Sequence, residues 1–417
     1  MDCIPPAHNN PPCVLIMMAH YLPGFKAGGP IRSVANMVDH LGSEFDFHIV
    51  TSDRDLGDKE PYPGIVRNVW TQVSNAKVIY VRRSIIGLPT IWKILTEKRY
   101  SILCINGVFS KRFSIFPLLA HRAGLAREVP LIISLRGEFS PAALKIHSKR
   151  KRLFLTFMRL FRLTHGIVWH ASSEFERQDI LRQFAGVTSI EVRSGMPMQR
   201  TREVKQSILI AADVNPKVTK EELGISPHKE PGRLKIVFVS RVSRMKNLDG
   251  AIRLLTGLSG SIEFHIYGPI EDRRYWQKCT ALIKAVDRNI QINYCGVLRP
   301  EEVSKTFSQY HLFLLPTHGE NFGHVIAESL AAGCPVLISD QTPWRDLERL
   351  GVGWDFPLDQ PERFHAVLKR CVEMGGNAFR ALSLRAKVYG LSKNCDQEPV
   401  NRQREMFLHI MRTHGFQ

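Results

Sequence analysis

The chain has 417 residues, of which 44% are hydrophobic and 23% charged, so it is long enough for two domains with apolar cores. Its net charge is +18, and residues 1–210 carry +13 of that excess, which predicts an anionic partner. No apolar stretch approaches the roughly 20 residues that span a bilayer, no signal-peptide pattern opens the sequence, and the eight cysteines show no paired spacing. These features exclude an integral membrane protein and a disulfide-rich domain. They predict a cytoplasmic protein, at most peripheral to the inner face of the plasma membrane.

The first half of the sequence alternates short apolar runs with helical segments. A strand at residues 14–20 leads through a turn-rich segment into a helix at 31–41. Apolar runs predict five more strands, at residues 47–51, 77–81, 102–105, 131–135 and 167–171. This alternation is typical of a doubly wound α/β domain.

Two places in this half lie where ligands bind in such domains. Gly28 and Gly29 separate the first strand from the first helix, where small residues let the backbone approach a phosphate or a sugar, although a simple turn also explains them. Arg136 follows the strand at 131–135, and sheets of this type bind ligands at the carboxyl ends of their strands. Its guanidinium suits a phosphate, or it pairs with a neighbouring acid such as Glu138.

Residues 144–163 predict a helix that combines many cations with many apolar side chains. Such a helix can lie on an anionic membrane surface, or it can be a core helix with a solvated basic face. If the protein acts on a molecule carried by a lipid, both interpretations hold. Residues 196–232 are less regular and proline-rich, and the first part of that region is where we place the connection between two domains.

The second half restarts the alternation, with strands at 234–240, 263–267 and 290–294 and a helix at 248–256. Arg241 and Lys246 lie five positions apart in the loop between the first of these strands and the helix. Two cations in such a loop can clamp a diphosphate, although a solvated basic loop has the same appearance.

Residues 317–335 form the most informative segment of the chain. Buried strands at 311–316 and 335–339 enclose a helix for which Asn321 is the predicted N-cap and Gly333 the left-handed end. Glu320 is then just outside the helix and Glu328 about two turns inside it. A helix start containing Gly323 suits a diphosphate, and the glutamates suit hydroxyl groups on either side of it. Taken singly, Glu320 also fits an ordinary acid at a helix start, and Glu328 also fits a solvated helix face.

The run from Glu320 to Val336 resembles the Glu-x7-Glu signature of retaining glycosyltransferases of family 4, the group 1 glycosyltransferases. The resemblance implies the GT-B fold, which is an α/β architecture of two Rossmann-like domains facing a cleft. The domains are expected at residues 1–205 and 206–390, with residues 391–417 forming a helix that crosses back to the first domain. Residues 339–345 are similar to those of members that build bacterial surface polysaccharides.

The resemblance also implies roles for individual residues. Glu320 contacts the donor sugar and Glu328 the nucleotide ribose, while Arg241 and Lys246 neutralise the donor pyrophosphate. Many members carry a histidine where this chain has Arg136, which leaves the arginine as a candidate for steadying phosphate or sugar charge. The remaining donor-binding residues implied are Gly28, Gly29, Gly268, Val297, Asn321, Phe322 and Gly323.

The sequence therefore predicts transfer of a hexose-type sugar from a UDP- or GDP-linked donor to a hydroxyl of a saccharide or lipid-linked saccharide, with retention, in bacterial polysaccharide, lipopolysaccharide or glycolipid synthesis. No Asp-x-Asp triplet or histidine cluster lies beside the proposed phosphate site, so we expect no cofactor and no metal. Two alternatives remain: a nucleotide-sugar epimerase or phosphorylase of the same fold, and a basic nucleic-acid-binding protein. Nucleic acid is not an expected partner, because the sequence shows no zinc or helix-turn-helix signature and no interleaved aromatic and basic stripe.

Overall fold

The structure is a computed structural model that describes residues 11–82, 84–97, 100–145, 148–184, 187–191, 207–217 and 227–414. The chain divides into two compact units, Met1–Val214 with Gln397–Gln417, and Asn215–Asp396. The predicted boundary at 205 falls outside the described residues. The second unit ends at Asp396 rather than at the predicted 390.

The first unit contains one mixed sheet with β3 at one edge, in the order β3-β4-β2-β1-β5-β6-β7-β9-β8. Neighbouring strands are parallel except for β3 and β4. The strands are β1 Cys13–Met18, β2 Asp46–Ser52, β3 Trp70–Val73, β4 Ala76–Val81, β5 Ile102–Asn106, β6 Leu131–Ser134, β7 Val168–Ala171, β8 Thr188–Glu191 and β9 Ser207–Ile210. All six strands predicted in this half are present. The sequence did not predict β3, β8 or β9.

Helices connect these strands, as the doubly wound pattern predicts. They are α1 Gly29–Leu41, α2 Leu88–Thr96, α3 Phe116–Arg122, α4 Pro141–Lys145, α5 Ser148–Leu160 and α6 Glu174–Gln183. Residues 146–147 lie outside the described residues, and the helix predicted over 144–163 corresponds to the last residues of α4 and to α5. The second of them ends at Leu160, and Arg162 just beyond it has a left-handed φ of 50° that a continuing helix does not allow.

The second unit contains a fully parallel sheet in the order β12-β11-β10-β13-β14-β15. Its strands are β10 Arg233–Val239, β11 Ser261–Tyr267, β12 Ile290–Tyr294, β13 Leu312–Leu315, β14 Val336–Ser339 and β15 Gly353–Phe356. Its helices are α7 Leu248–Leu255, α8 Arg273–Ile283, α9 Val303–Phe307, α10 His324–Ala331, α11 Leu347–Leu350, α12 Pro361–Glu373 and α13 Gly376–Cys395. Strand β13 is fully buried, as its continuous apolar sequence predicts.

The last helix, α14 Glu398–Thr413, belongs to the first unit. Its Phe407 ring lies 5.3 Å from the ring of Phe45, and both side chains are buried in the core around β1 and β2. Gln403 on the same helix is buried and donates to the carbonyl oxygens of Ala211 and Ala212 just after β9. The chain thus returns to the first unit after completing the second.

Candidate functional site

The strand order of the second unit reverses between β10 and β13. Strands β11 and β12 lie on one side of β10, while β13, β14 and β15 lie on the other. In open parallel sheets, ligands bind outside the carboxyl ends of the strands at such a reversal. Two loops begin there, residues 240–247 after β10 and residues 316–323 after β13. They contain Arg241, Lys246 and Glu320 of the predicted donor site.

These two loops meet in an ion pair between Lys246 and Glu320. The Lys246 Nζ contacts Glu320 Oε1 and lies 3.5 Å from the carbonyl oxygen of Gly319. The side chains are only 9% and 17% exposed. Because charges interact strongly where water is largely excluded, an added anion or hydroxyl group would meet a preorganised cation and carboxylate here.

Further hydrogen bonds fix the two loops to each other. The Thr317 side chain is fully buried and donates to a backbone oxygen, with Met245 O at 3.0 Å and Gly319 O at 2.9 Å, and the Met245 oxygen also accepts from His318 N at 2.8 Å. Asn247 Nδ2 donates to Pro316 O at 2.8 Å from a left-handed backbone, a conformation that asparagine tolerates. The sequence analysis missed Asn247 and Thr317, and an asparagine directly before α7 was the available signal.

Helix α10 begins at His324, so the prediction of Asn321 as its N-cap is wrong. The N-cap is Gly323, whose φ of 79° and ψ of 52° are left-handed. Trp344 Nε1 donates to Phe322 O at 2.7 Å, and a Cβ on Gly323 would lie 3.2 Å from the same nitrogen. Glu328 therefore lies about one turn inside the helix rather than two, and it is half-buried.

The other end of α10 is as predicted. Gly333 follows the last helical turn with a left-handed φ of 80°, and its N–H donates to Leu330 O at 2.9 Å. The chain then enters β14 at Val336. The predicted strand, helix and strand around the glutamates are thus all present, and the correction concerns only where the helix starts.

Arg241 lies on the same loop as Lys246 but has a different partner. Its Nη1 lies 3.0 Å from Glu271 Oε2, and both side chains are roughly one-third exposed. An exposed pair of this kind contributes little to stability. The guanidinium is therefore held near the end of β10 by a weak contact that an anionic ligand can replace.

The loops after β11 and β12 lie against the end of β10. Gly268 N donates to Gly296 O at 2.7 Å, and Tyr294 Oη donates to Gly268 O at 2.9 Å. A Cβ on Gly268 would lie 1.9 Å from Ser240 O, and the φ of this glycine is +138°. Val297, another predicted donor-binding residue, is an exposed side chain just beyond Gly296.

Replacing Gly268 by alanine should therefore destabilise the second unit and displace the Arg241 loop. Gly257 is the matched control, because its φ is +79° but a Cβ there would meet nothing within 4 Å. We expect Gly257→Ala to cost about 1–2 kcal/mol from backbone conformation alone. Gly268→Ala should cost roughly 1–3 kcal/mol more. Urea unfolding of both variants measures this difference, and equal losses would show that the close approach is unimportant.

In the first unit, Arg136 is held in a buried network. Its Nη1 pairs with Asp213 Oδ1, and its Nε donates to Asn106 Oδ1 at 2.9 Å. Asp213 Oδ2 accepts from Ser33 Oγ at 2.7 Å, and that hydroxyl lies 3.1 Å from Gly29 O. The network thus connects the end of β6 to the first turn of α1.

This network shows with which acid Arg136 pairs, a question that the sequence left open. Arg136 does pair with an acid, but the acid is Asp213 rather than Glu138. The Glu138 carboxylate instead accepts from the backbone N–H groups of Val108 and Phe109, the latter at 3.3 Å. Gly28 is the N-cap of α1 with a positive φ of 72°, which favours glycine, and Gly29 is the first helical residue. Asp213 was not predicted as a site residue.

Buried His170 lies beside this network. Its Nδ1 lies 2.8 Å from Ser134 Oγ and its Nε2 lies 2.8 Å from Ala211 O, so Nε2 carries the proton when the ring is neutral. Burial, with the nearby charge of Arg136, lowers the pKa of His170 from 6.5 to about 4. Between these pH values the unfolded chain binds a proton that the folded chain does not. Stability is therefore lost as the pH falls below 6.5, by about 3 kcal/mol at pH 4.

We expect His170→Gln to remove that part of the acid sensitivity. Urea unfolding near pH 7 and pH 5 should show a smaller loss of free energy of unfolding for this variant than for the wild type. His165→Gln, at an exposed position of the same unit, is the control and should behave like the wild type. The same pH dependence in all three proteins would contradict the assignment.

Comparison with known protein families finds one that matches part of the sequence. The family described as Glycosyl transferases group 1 matches residues 220–388, which lie within the second unit and include both glutamates and the Arg241 loop. Because this match covers most of the second unit, we call that unit the group 1 domain. A search of curated proteins found no match to the chain.

Solved structures resemble the chain over both units. Sucrose-phosphate synthase from Thermosynechococcus elongatus shares 15% identity, with a TM-score of 0.63, over 96% of this chain and 98% of its own. Anabaena HepE in complex with UDP-glucose shares 14% identity, with a TM-score of 0.61, over 95% and 99%. WaaG, a glycosyltransferase involved in lipopolysaccharide biosynthesis, shares 14% identity, with a TM-score of 0.60, over 93% and 97%. These likenesses confirm the predicted GT-B fold.

The predicted site residues divide between the two units. The group 1 domain contains Arg241, Lys246, Gly268, Val297, Glu320, Asn321, Phe322, Gly323 and Glu328, whereas Gly28, Gly29 and Arg136 lie in the first unit. The family match supports the predicted enzyme class, a glycosyltransferase. It does not favour the epimerase, phosphorylase or nucleic-acid-binding alternatives.

Proposed function

We propose that the chain is a retaining glycosyltransferase that moves a hexose-type sugar from a nucleotide diphosphate donor to a hydroxyl of a saccharide or lipid-linked saccharide. The observation that carries this proposal is the largely buried Lys246–Glu320 pair at the start of α10, located at the strand-order reversal of the group 1 domain. A cation and a carboxylate held together there fit the two ends of a sugar diphosphate. The ammonium suits the diphosphate, and the carboxylate suits the sugar hydroxyls.

The chemistry required is electrostatic stabilisation of a leaving group. The bond between the anomeric carbon and the phosphate oxygen breaks, and the bond to the acceptor oxygen forms on the same face of the sugar. The acceptor proton passes to the departing phosphate. Lys246, Arg241 and the N–H groups at the start of α10 offset the charge that develops on the diphosphate, and they do so from fixed positions. In the structure Lys246 contacts Glu320, so donor binding replaces that contact in part.

The choice of nucleotide rests on structural relatives. HepE is described in complexes with UDP-glucose, with UDP and glucose, and with UDP, and a trehalose-6-phosphate protein from E. coli with UDP-2-fluoro glucose. These complexes support a UDP-linked donor for this chain, with a GDP-linked donor as the second choice. The likeness to WaaG, a glycosyltransferase involved in lipopolysaccharide biosynthesis, supports a role in bacterial polysaccharide, lipopolysaccharide or glycolipid synthesis.

The proposal is tested by incubating the protein with UDP- and GDP-linked hexoses and a panel of saccharide and lipid-linked acceptors. Mass spectrometry should detect a glycosylated acceptor, and proton NMR should show that the new bond has the anomeric configuration of the donor. An inverted product would refute retention. Formation of an epimeric nucleotide sugar, or of a sugar phosphate in the presence of phosphate, would favour the epimerase or phosphorylase alternative.

We also propose that turnover needs no metal ion. Among the described residues, the group with metal-ligating atoms close together is Cys13, Asp46 and His48, at the amino ends of β1 and β2. Ligands bind at the opposite ends of strands in such sheets, and Lys77 Nζ already lies 3.1 and 3.2 Å from the two Asp46 oxygens. Excess EDTA should therefore leave the initial rate unchanged. Loss of activity that magnesium or manganese restores would overturn this expectation.

A further inference from the structure

Helix α5 exposes a cluster of large apolar side chains. Four of the fifteen exposed large hydrophobic residues in the described part of the chain fall within residues 153–161: Leu153, Phe157, Leu160 and Phe161. Leu153 and Leu160 are 73% and 74% exposed, and the rings of Phe157 and Phe161 lie 4.5 Å apart. The spacing of three, four and seven residues places the first three on one side of α5, and Phe161 directly follows the helix. We call them the α5 apolar stripe.

The opposite side of α5 packs against the core of the first unit. Leu155 and Met158 are buried there with the other apolar residues of the first unit. Lys151 also belongs to that side, because its ammonium donates to Ala143 O at 2.7 Å and lies over the Phe109 ring. The stripe is therefore not needed to attach α5 to the unit. An exposed apolar cluster of this kind marks an interaction surface.

The residues that flank the stripe in the sequence carry charge of one sign. Residues 139–173 contain seven lysine and arginine residues and no aspartate or glutamate. Lys149, Arg150, Arg152 and Arg159 are exposed on the same helix as the stripe. A partner that covers the stripe must therefore be apolar where it meets the leucines and phenylalanines, and anionic directly beside them.

A cavity of about 480 Å³ adjoins this surface between α4, α5 and α6. Lys145, Arg152 and Arg159 line it together with Leu144 and Leu155. Arg159 is oriented by Gln183, whose Oε1 accepts from Nη2 at 3.2 Å. Three cations around a space with apolar walls suit a phosphate group that carries acyl chains.

We propose that the α5 apolar stripe and its neighbouring cations form a docking surface for an anionic phospholipid bilayer. The stripe enters the boundary between headgroups and acyl chains, while the cations contact lipid phosphates, one of them within the cavity. A basic amphipathic helix with leucine and phenylalanine on its apolar side binds at this depth. No helix in the described part of the chain is long and apolar enough to cross a bilayer, so this attachment is peripheral. It is separate from the donor site of the group 1 domain.

Vesicle flotation with the full chain tests this inference without any donor or acceptor. The wild type should bind vesicles of phosphatidylcholine and phosphatidylglycerol in equal amounts, should bind pure phosphatidylcholine far more weakly, and should lose affinity in high salt. Leu153→Ser with Leu160→Ser should weaken binding at least about tenfold. Arg152→Gln with Arg159→Gln should weaken it about fivefold for each cation removed.

Matched controls change the same residue types elsewhere. Leu384→Ser with Val388→Ser alters two side chains of α13 that are 62% and 60% exposed, and Arg233→Gln with Arg349→Gln removes two exposed cations. Circular dichroism melting should show all variants folded, since every substituted side chain is exposed. Equal losses in test and control pairs, or no binding of the wild type to the mixed vesicles, would overturn the inference. The second result would instead leave an acidic protein as the partner of this surface, and neither result would bear on the proposed sugar transfer.

Discussion

Replacing Lys246 by methionine should weaken the binding of UDP by about 10- to 100-fold, because a hydrogen bond to a charged group contributes about 1.5–3 kcal/mol. Methionine preserves the length and apolar stem of the lysine, so the substitution mainly removes the positive charge. The side chain is largely buried against Glu320, and the change leaves that carboxylate without its cation. Repulsion between Glu320 and the diphosphate then adds to the loss. Calorimetric titration of UDP measures the effect without an acceptor.

Lys278→Met is the matched control for this experiment. Lys278 lies in the same unit, its Nζ is 2.5 Å from Asp249 Oδ2, and its side chain is about half exposed. Removing it deletes a lysine and breaks a lysine–carboxylate pair outside the loops after β10 and β13. UDP affinity should stay within about twofold of the wild type, as expected for a surface ion pair. If both variants, or neither, lose affinity, Lys246 is not a diphosphate ligand.

Glu320→Gln and Glu328→Gln should have different kinetic signatures. Glu320 lies beside Lys246, where we place the sugar that reacts, so losing its charge should lower kcat by about 100-fold with a smaller rise in donor KM. Glu328 lies one turn inside α10, where we place the ribose. Its substitution should mainly raise donor KM and should also weaken UDP, which retains the ribose. Glu320→Gln should not weaken UDP, because UDP lacks the sugar that Glu320 is proposed to contact.

Steady-state kinetics and UDP titrations on the two variants decide whether the glutamates bind the donor or have only a structural role in α10. A helix-start acid and a solvated helix face would change stability by only about 0.3–1 kcal/mol and would give no kinetic asymmetry. Urea unfolding provides the check that both variants are folded. Near-normal kcat and KM in both folded variants would remove the glutamates from the donor site.

Much of the fold follows from the sequence because buried parallel strands have a simple signature. Runs such as residues 312–315 and 336–338 are continuously apolar, and breakers bound them on both sides, so their positions and the helix between them were predictable. Strand β3 had no such signature. It is an exposed antiparallel edge strand at Trp70–Val73, and half of its side chains face solvent.

The errors at the candidate site have a different origin. Asn321 is a good N-cap by residue type, yet tertiary contacts decide where α10 begins. Glu320 N donates to Gln341 O at 2.9 Å, and Trp344 Nε1 donates to Phe322 O. The partner of Arg136 is 77 positions away in the chain, and local sequence contains no information about such a pair. Residue types and spacing thus located the site, whereas long-range hydrogen bonds set its geometry.

A crystal structure of the protein soaked with UDP shows whether Lys246 and the start of α10 bind the diphosphate. We expect the diphosphate within hydrogen-bonding distance of Lys246 Nζ and of backbone N–H groups between Asn321 and His324, with the ribose at Glu328 and the Lys246–Glu320 contact weakened or broken. UDP bound elsewhere, or an unchanged Lys246–Glu320 pair with no nucleotide beside it at saturating UDP, would contradict this expectation.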